Sequence, residues 1–114
     1  MHEVGIMESA LAAVLERARG QGAHRVHRIA LRIGSLSGVE PEALRFAFDV
    51  VTRGTPAAGA ELAIEAVPAL AHCPDCHADF AADSGFIFTC PGCRRLCGEL
   101  RQGRELELTR IEMS

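Results

Sequence analysis

The stretch Ala71-His72-Cys73-Pro74-Asp75-Cys76-His77 is answered further along by Thr89-Cys90-Pro91-Gly92-Cys93, with thirteen residues between Cys76 and Cys90. Two Cys-Pro-x-Cys units at this distance make a pair of tight turns that can each present two sulfurs to one tetrahedral ion, and four thiolates suit zinc. With its shell closed by Cys73, Cys76, Cys90 and Cys93, such a zinc keeps no position for water or substrate, so the expected role is structural. The rival reading, a pair of redox dithiols, needs Cys-x-x-Cys at a helix start after a βαβ pattern, whereas both units lie among Gly and Pro. Cys97 is the odd fifth cysteine, read as a small partly buried residue or spare thiol rather than a ligand. His72 and His77 flank the first unit and are read as exposed loop residues.

Working outward, residues 68–101 are rich in Cys, Gly and Pro, lack a long amphipathic run, and offer only Phe86 to Thr89 as a short strand. They have too few apolar residues for a core of their own, so metal binding is expected to supply much of their folding free energy. The flanks read differently. Val4, Met7, Leu11, Val14, Leu15 and Ala18 follow helical spacing and end near Gly20 and Gly22. His27, Ile29, Leu31 and Ile33 alternate with Arg28, Ala30 and Arg32 as in a half-buried strand closed by Gly34. Pro41 suits a first helical position, and Leu44, Ala47, Phe48 and Val51 line one face of a second helix that stops before Gly54.

Leu62, Ile64 and Ala66 then alternate with Glu61, Ala63 and Glu65 up to Pro68, and Leu106 and Leu108 alternate with Glu105 and Glu107 in a last strand. Arg110 and Ile111 fall out of phase with that strand, which places a bulge near Thr109. The expectation is an α+β fold: a three-stranded sheet with two helices, residues 1–67 and 102–114, and an inserted zinc-ribbon-like lobe, residues 68–101.

At 114 residues one core is the default, and 48% hydrophobic against 24% charged residues argues against disorder. No apolar run reaches the roughly 20 residues of a spanning helix, and Glu3 and Glu8 stand where a signal peptide carries positive charge, so a cytoplasmic protein without membrane insertion is expected. The formal charge of −3 is made more negative by four thiolates and one divalent ion, which argues against nucleic acid. The chain has twelve Arg and no Lys, but Arg17, Arg19, Arg25, Arg28 and Arg32 are interleaved with acids and apolar residues, the pattern of a solvated face.

The chain start offers a second metal chemistry. His2 precedes the Val4 to Ala18 stripe and is expected to face solvent. A histidine at position two can give a metal its imidazole nitrogen, the Met1 amine and its own backbone nitrogen, with the Glu3 backbone nitrogen completing a plane. Square-planar nitrogen donors suit nickel(II) or copper(II), not zinc.

Met1-His2-Glu3 before an amphipathic helix, Ile33-Gly34-Ser35-Leu36 followed by Val39-Glu40 and Leu44-Arg45-Phe46-Ala47-Phe48, the two Cys-Pro-x-Cys units and the closing Gly103-Arg104-Glu105-Leu106 occur in one order along the chain. Together they resemble the HypA/HybF family, accessory proteins for nickel insertion into [NiFe] hydrogenases. The resemblance implies a nickel metallochaperone, not an enzyme, working with the GTPase HypB to deliver nickel to the hydrogenase large-subunit precursor; some members also serve urease maturation alongside urease accessory proteins. Carried onto these residues, it makes His2 the nickel ligand, assisted by backbone groups of Met1, His2 and Glu3. It makes Cys73, Cys76, Cys90 and Cys93 the structural zinc ligands. Arg94, Arg95 and Cys97 depart from the small residues that often follow the second knuckle.

Two other classes compete. A zinc-ribbon adaptor for protein or nucleic acid calls for a basic, aromatic-bearing surface, whereas Arg94, Arg95, Arg101 and Arg104 are offset by Asp75, Asp79, Asp83 and Glu99, with no Tyr or Trp for stacking. An enzyme calls for a phosphate loop, paired carboxylates or a Ser/His/Asp set, and none is visible.

Overall fold

The computed structural model describes residues 3–82 and 87–114. The expected strand Phe86 to Thr89 therefore lies partly outside the described residues; within them β5 is Phe88–Thr89. The fold has the expected α+β character. Helix α1 (Glu3–Gly20) leads through β1 (Val26–Gly34) to α2 (Pro41–Val51) and β2 (Glu61–Val67), and β8 (Leu106–Met113) closes the chain. The three strands among these form a sheet of order β2-β1-β8, with β1 parallel to β2 and antiparallel to β8. The helices supply Met7, Leu11, Val14, Leu44, Ala47 and Phe48 to one core, which Val26, Ile29, Leu31, Ile33 and Leu62 meet from the sheet.

The other sheet face is polar because β1 alternates. Arg28 lies between Glu61 and Glu112 at 3.2 and 3.6 Å, and Arg32 between Glu65 and Glu107 at 3.4 and 3.8 Å. Registers Arg28↔Glu61 and Arg32↔Glu65 put acid directly beside base, so Arg28 and Arg32, two of the interleaved arginines, form a solvated, paired face. The Nε atoms of Arg28 and Arg32 are buried and out of hydrogen-bond alignment, so charge rather than a directed bond holds them there.

Several side chains depart from the expected pattern. Val4 was expected on the buried stripe but is 50% exposed, because the first turn of α1 overhangs the core that begins at Met7. His27 was expected to share the inward face of Ile29. It is exposed instead, since a register irregularity between Val26 and Arg28 gives the inward place to Val26, and its Nε2 lies 2.6 Å from Ser114 Oγ. Val67 rather than Ala66 is buried where β2 ends. Leu106 and Leu108 stay partly exposed because β8 is an edge strand. The bulge near Thr109 is present: Ala30 pairs with Arg110 and Leu31 with Leu108, which leaves Thr109 unpaired in the ladder.

Between β2 and β8 the chain has more regular structure than its composition announced. β3 (Leu70–Cys73) is flanked by β4 (Ala78–Ala81) and β7 (Glu99–Gln102), and β5 pairs with β6 (Leu96–Cys97). This part also has a small core, contrary to expectation: Ala69, Ala71, Ala82 and Phe88, with Phe80, Leu100 and Leu36 against them. Short strands of small residues escape periodicity analysis because four residues hold only two alternations. Leu36 is contributed by the loop after β1, so the core is shared across the boundary.

The boundary itself is tight. Gly34 N donates to Glu105 O at 2.8 Å, Leu36 N to Gly103 O at 2.7 Å, and Ala69 N to Ser35 Oγ at 3.0 Å. A Cβ on Gly34 would come within 2.1 Å of the Gly103 carbonyl oxygen, so only glycine fits. The radius of gyration is 17.6 Å, against roughly 13 Å for a single compact body of this length, and the longest extent is 55 Å. The molecule is elongated, and the sheets β2-β1-β8 and β4-β3-β7 are joined by hydrogen-bonded backbone.

Candidate metal centre

Each Cys-Pro-x-Cys unit folds as a knuckle. Cys76 N donates to the Cys73 sulfur at 3.5 Å, and in the second unit Arg94 N returns to Cys90 O at 2.8 Å while Cys90 N donates to Arg95 O at 2.9 Å. Directly after each second cysteine stands a residue with positive φ, His77 at 53° and Arg94 at 64°. These are the described non-glycine residues in that region, and a left-handed conformation costs an ordinary side chain about 1–2 kcal/mol. Arg94 thus takes up the turn that a small residue would take more easily, and Arg95 is held by Asp75 at 2.8 Å across the two knuckles.

The knuckles bring Cys73, Cys76, Cys90 and Cys93 together with all four sulfurs within 4.8 Å of one another. Cys73 to Cys93 is 3.6 Å and Cys76 to Cys90 is 3.8 Å. A zinc–sulfur bond of about 2.3 Å implies sulfur–sulfur edges near ~3.8 Å in a tetrahedron, while a disulfide needs about 2.05 Å. The donor set and spacing fit a tetrahedral thiolate ion and exclude a bond between these sulfurs.

Electrostatics agree with that reading. The Cys76 backbone N–H brings the Cys73 thiol down to about 6 in spite of burial. The sulfurs of Cys93, Cys90 and Cys73 around Cys76 push its thiol up to about 12. Cys93 is lowered by the Arg95 backbone N–H but raised more by Cys73, burial and Cys90, and ends above its ordinary value. Four thiolates this close repel each other, so they ionise together only around a cation.

Cys97 and His72 sit differently from expectation. Cys97 is 3% exposed, packed on Cys73 and Cys90, with its thiol 3.5 Å from Arg95 O. Burial pushes that thiol up. His72 is on β3 rather than in a loop, half-covered, with Nδ1 2.7 Å from Asp79 Oδ1. His77 is exposed, as expected. The lobe's arginines are largely matched by acid: Arg101 meets Glu99 at 3.0 Å and Asp79 at 3.5 Å, which leaves little of the basic surface that an adaptor for nucleic acid requires.

The chain start is the other predicted centre. Met1 and His2 lie outside the described residues. Glu3 opens α1, and its Oε2 accepts a hydrogen bond from Glu40 N, at the cap of α2, at 3.2 Å.

Fold and site define a small α+β protein with a four-cysteine cluster whose donors can close around one metal ion. The sequence model of one family, described as hydrogenase/urease nickel incorporation metallochaperone HypA, matches residues 1–113. The hydrogenase maturation factor HypA of Chloroflexus aurantiacus is 45% identical over 112 residues, 98% of each chain, and that of Acidithiobacillus ferrooxidans is 43% identical over 113 residues, 99% of each. The solution structure of the Ni metallochaperone HypA from Helicobacter pylori superposes with a TM-score of 0.66 at 25% identity, covering 99% of this chain and 97% of that one. A second HypA solution structure gives 0.72 at 26% identity, with 100% and 97% covered. The chain belongs to the HypA family of nickel-incorporation metallochaperones that serve hydrogenase and urease.

Proposed function

We propose that this chain binds nickel(II) through His2 and the backbone nitrogens around it, and passes the ion to the precursor of the [NiFe] hydrogenase large subunit in concert with the GTPase HypB. The observation that carries this reading is a family match that starts at residue 1 and so takes in Met1-His2-Glu3. Nickel is cargo here. Planar nitrogen donors at a chain start are reachable by a partner's ligands, and guided transfer supplies the selectivity that affinity alone does not, because copper binds such donors more tightly.

Residues 1–67 with 102–114 act in this scheme as the nickel-binding unit, and residues 68–101 as the zinc lobe. Zinc at Cys73, Cys76, Cys90 and Cys93 is structural, since four thiolates close its shell. Five unpaired cysteines suit a reducing compartment, which supports work in the cytoplasm. Transfer of metal between ligands exchanges coordinate bonds and requires no covalent step on a substrate, which supports a role outside catalysis.

Calorimetric nickel titration of the native chain, a chain extended before Met1, and His2→Ala tests the site. Both variants should lose nickel binding while zinc content and helicity stay native. Undiminished nickel affinity in the extended chain would overturn the amine and backbone geometry, and undiminished affinity in His2→Ala would move the site elsewhere, with His72 and His77 next to be substituted.

A further inference from the structure

The lobe gathers five thiols, of which the tetrahedral set uses four. That set is uneven in depth: Cys73 and Cys90 are 0% and 4% exposed, whereas Cys76 and Cys93 reach solvent. Cys97 joins the deep side. It packs directly on Cys73 and Cys90, and its register opposite Phe88 in the β5–β6 pair fixes it there. Its sulfur is nonetheless outside the group whose sulfurs all lie within 4.8 Å. The three buried cysteines therefore share one cluster, with Cys76 and Cys93 exposed beside it.

Connectivity selects which outer sulfur the fifth thiol can replace. Cys93 and Cys97 are separated by Arg94, Arg95 and Leu96 on one loop, and that loop is anchored from Cys90 by the hydrogen bonds to Arg95 O and from Arg94 N. Cys76 comes from the other knuckle. Exchanging Cys93 for Cys97 thus leaves the first knuckle unchanged and keeps two sulfurs from each side of the site.

We propose that Cys97 is a reserve zinc ligand that takes the place of Cys93 when that exposed sulfur is lost. This rests on the reading of the cluster as a zinc site. In the exchange one zinc–sulfur bond, to Cys93, is broken or never made, and one forms to the Cys97 sulfur. The Cys97 proton leaves to solvent, and no electrons are transferred. Cys73, Cys76, Cys90 and Cys97 would then hold the ion with four thiolates and the same charge balance. Zinc imposes no geometric preference beyond the tetrahedron, so the substitute set is as acceptable to it as the original.

Cobalt(II) in place of zinc reads the thiolate count through its charge-transfer and ligand-field bands, independently of any nickel function. Cys97→Ser should match the native chain in spectrum and zinc affinity. Cys93→Ala should keep a four-thiolate spectrum. The double variant should fall to three thiolates and lose roughly 100-fold or more in zinc affinity relative to Cys93→Ala, as expected for a ligand removed from a closed site. A three-thiolate spectrum in Cys93→Ala, unaltered by adding Cys97→Ser, overturns the proposal, and so does loss of a thiolate in Cys97→Ser alone. A native chain whose cobalt spectrum lacks four thiolates refutes the zinc-site reading itself. Should Cys93→Ala not fold, limiting alkylation of the zinc-loaded native chain gives a second readout by mass spectrometry. Chains alkylated once, at Cys93, should retain zinc with Cys97 unmodified; loss of zinc from that species overturns the proposal.

Discussion

Withdrawing the metal, by chelation or by Cys73→Ser, should unfold the lobe and leave the helical unit standing. The asymmetry follows from what each part buries. The buried residues of the lobe core are three alanines and Phe88, with Phe80, Leu100 and Leu36 only partly buried against them; full burial of the phenylalanine is worth about 1.5–3 kcal/mol, each alanine methyl less than about 1, and the partly buried side chains a fraction of their full value. Structural zinc contributes about 10–16 kcal/mol in small cysteine-bound domains, several times more than that core. The helical unit instead buries Met7, Leu11, Val14, Ile29, Leu31, Leu44 and Phe48 among others, with no metal ligand among them. Residue-resolved amide exchange is the assay. Ala71, Cys73 and Phe80 should lose protection on metal removal, whereas Ile29, Leu31 and Leu44 keep it, and the helical circular dichroism should hold because both helices lie outside the lobe. Native protection in β3 and β4 of the metal-free chain would refute the argument, as would loss of helix along with the lobe.

Zinc affinity should rise with pH through neutrality with protons released on binding, since the Cys76 thiol at about 12 and the raised Cys93 thiol must both ionise to bind; protons win as pH falls, and a flat profile from a pH-series titration would contradict the sign. Gly34→Ala should destabilise the chain by about 1–3 kcal/mol in thermal unfolding, because the new methyl meets backbone oxygen that has no rotamer to move aside. Arg32→Met should cost no more than about 1 kcal/mol and make stability less sensitive to salt, since its carboxylate partners are more than half exposed.

The helical unit was legible in sequence because its elements are long enough for periodicity to speak. Pro41 at the start of α2, the helical spacing of Met7 to Ala18, and the phase break at Thr109 are each set by local chemistry that the structure keeps. Failures occur where tertiary context intervenes. His27 lies on an irregular step of the β1–β8 ladder, and the irregularity depends on β8, eighty residues away. Val4 has the right spacing but nothing beneath it. In the lobe, β3, β4, β6 and β7 run two to four residues each, too short for any alternation to declare itself, and their pairing follows from the knuckles rather than preceding them. The four ligands were readable because Cys-x-x-Cys spacing is itself geometry, whereas the depth of Cys97 depends on a strand pair whose own sequence carries no signal.

The junction bears on why a delivery protein has two lobes. Leu36 reaches into the lobe core, and four residues later Glu40 N donates to the carboxylate of Glu3. The start of α1 is therefore tied to the loop between β1 and α2, whose Leu36 packs on the small core of Ala69, Ala71, Ala82 and Phe88. This also bears on what Glu3 can offer to nickel. A carboxylate oxygen that accepts the α2 cap N–H holds two helix starts together. A nickel site that also drew on the Glu3 carboxylate would share that group with the bond to Glu40, whereas one built on the His2 imidazole and the Met1 amine would leave the bond untouched. In the proposed scheme the thiolate site would secure the lobe against which this segment is braced, while the nitrogen donors proposed for nickel would belong to a part of the chain that the zinc ligands do not use.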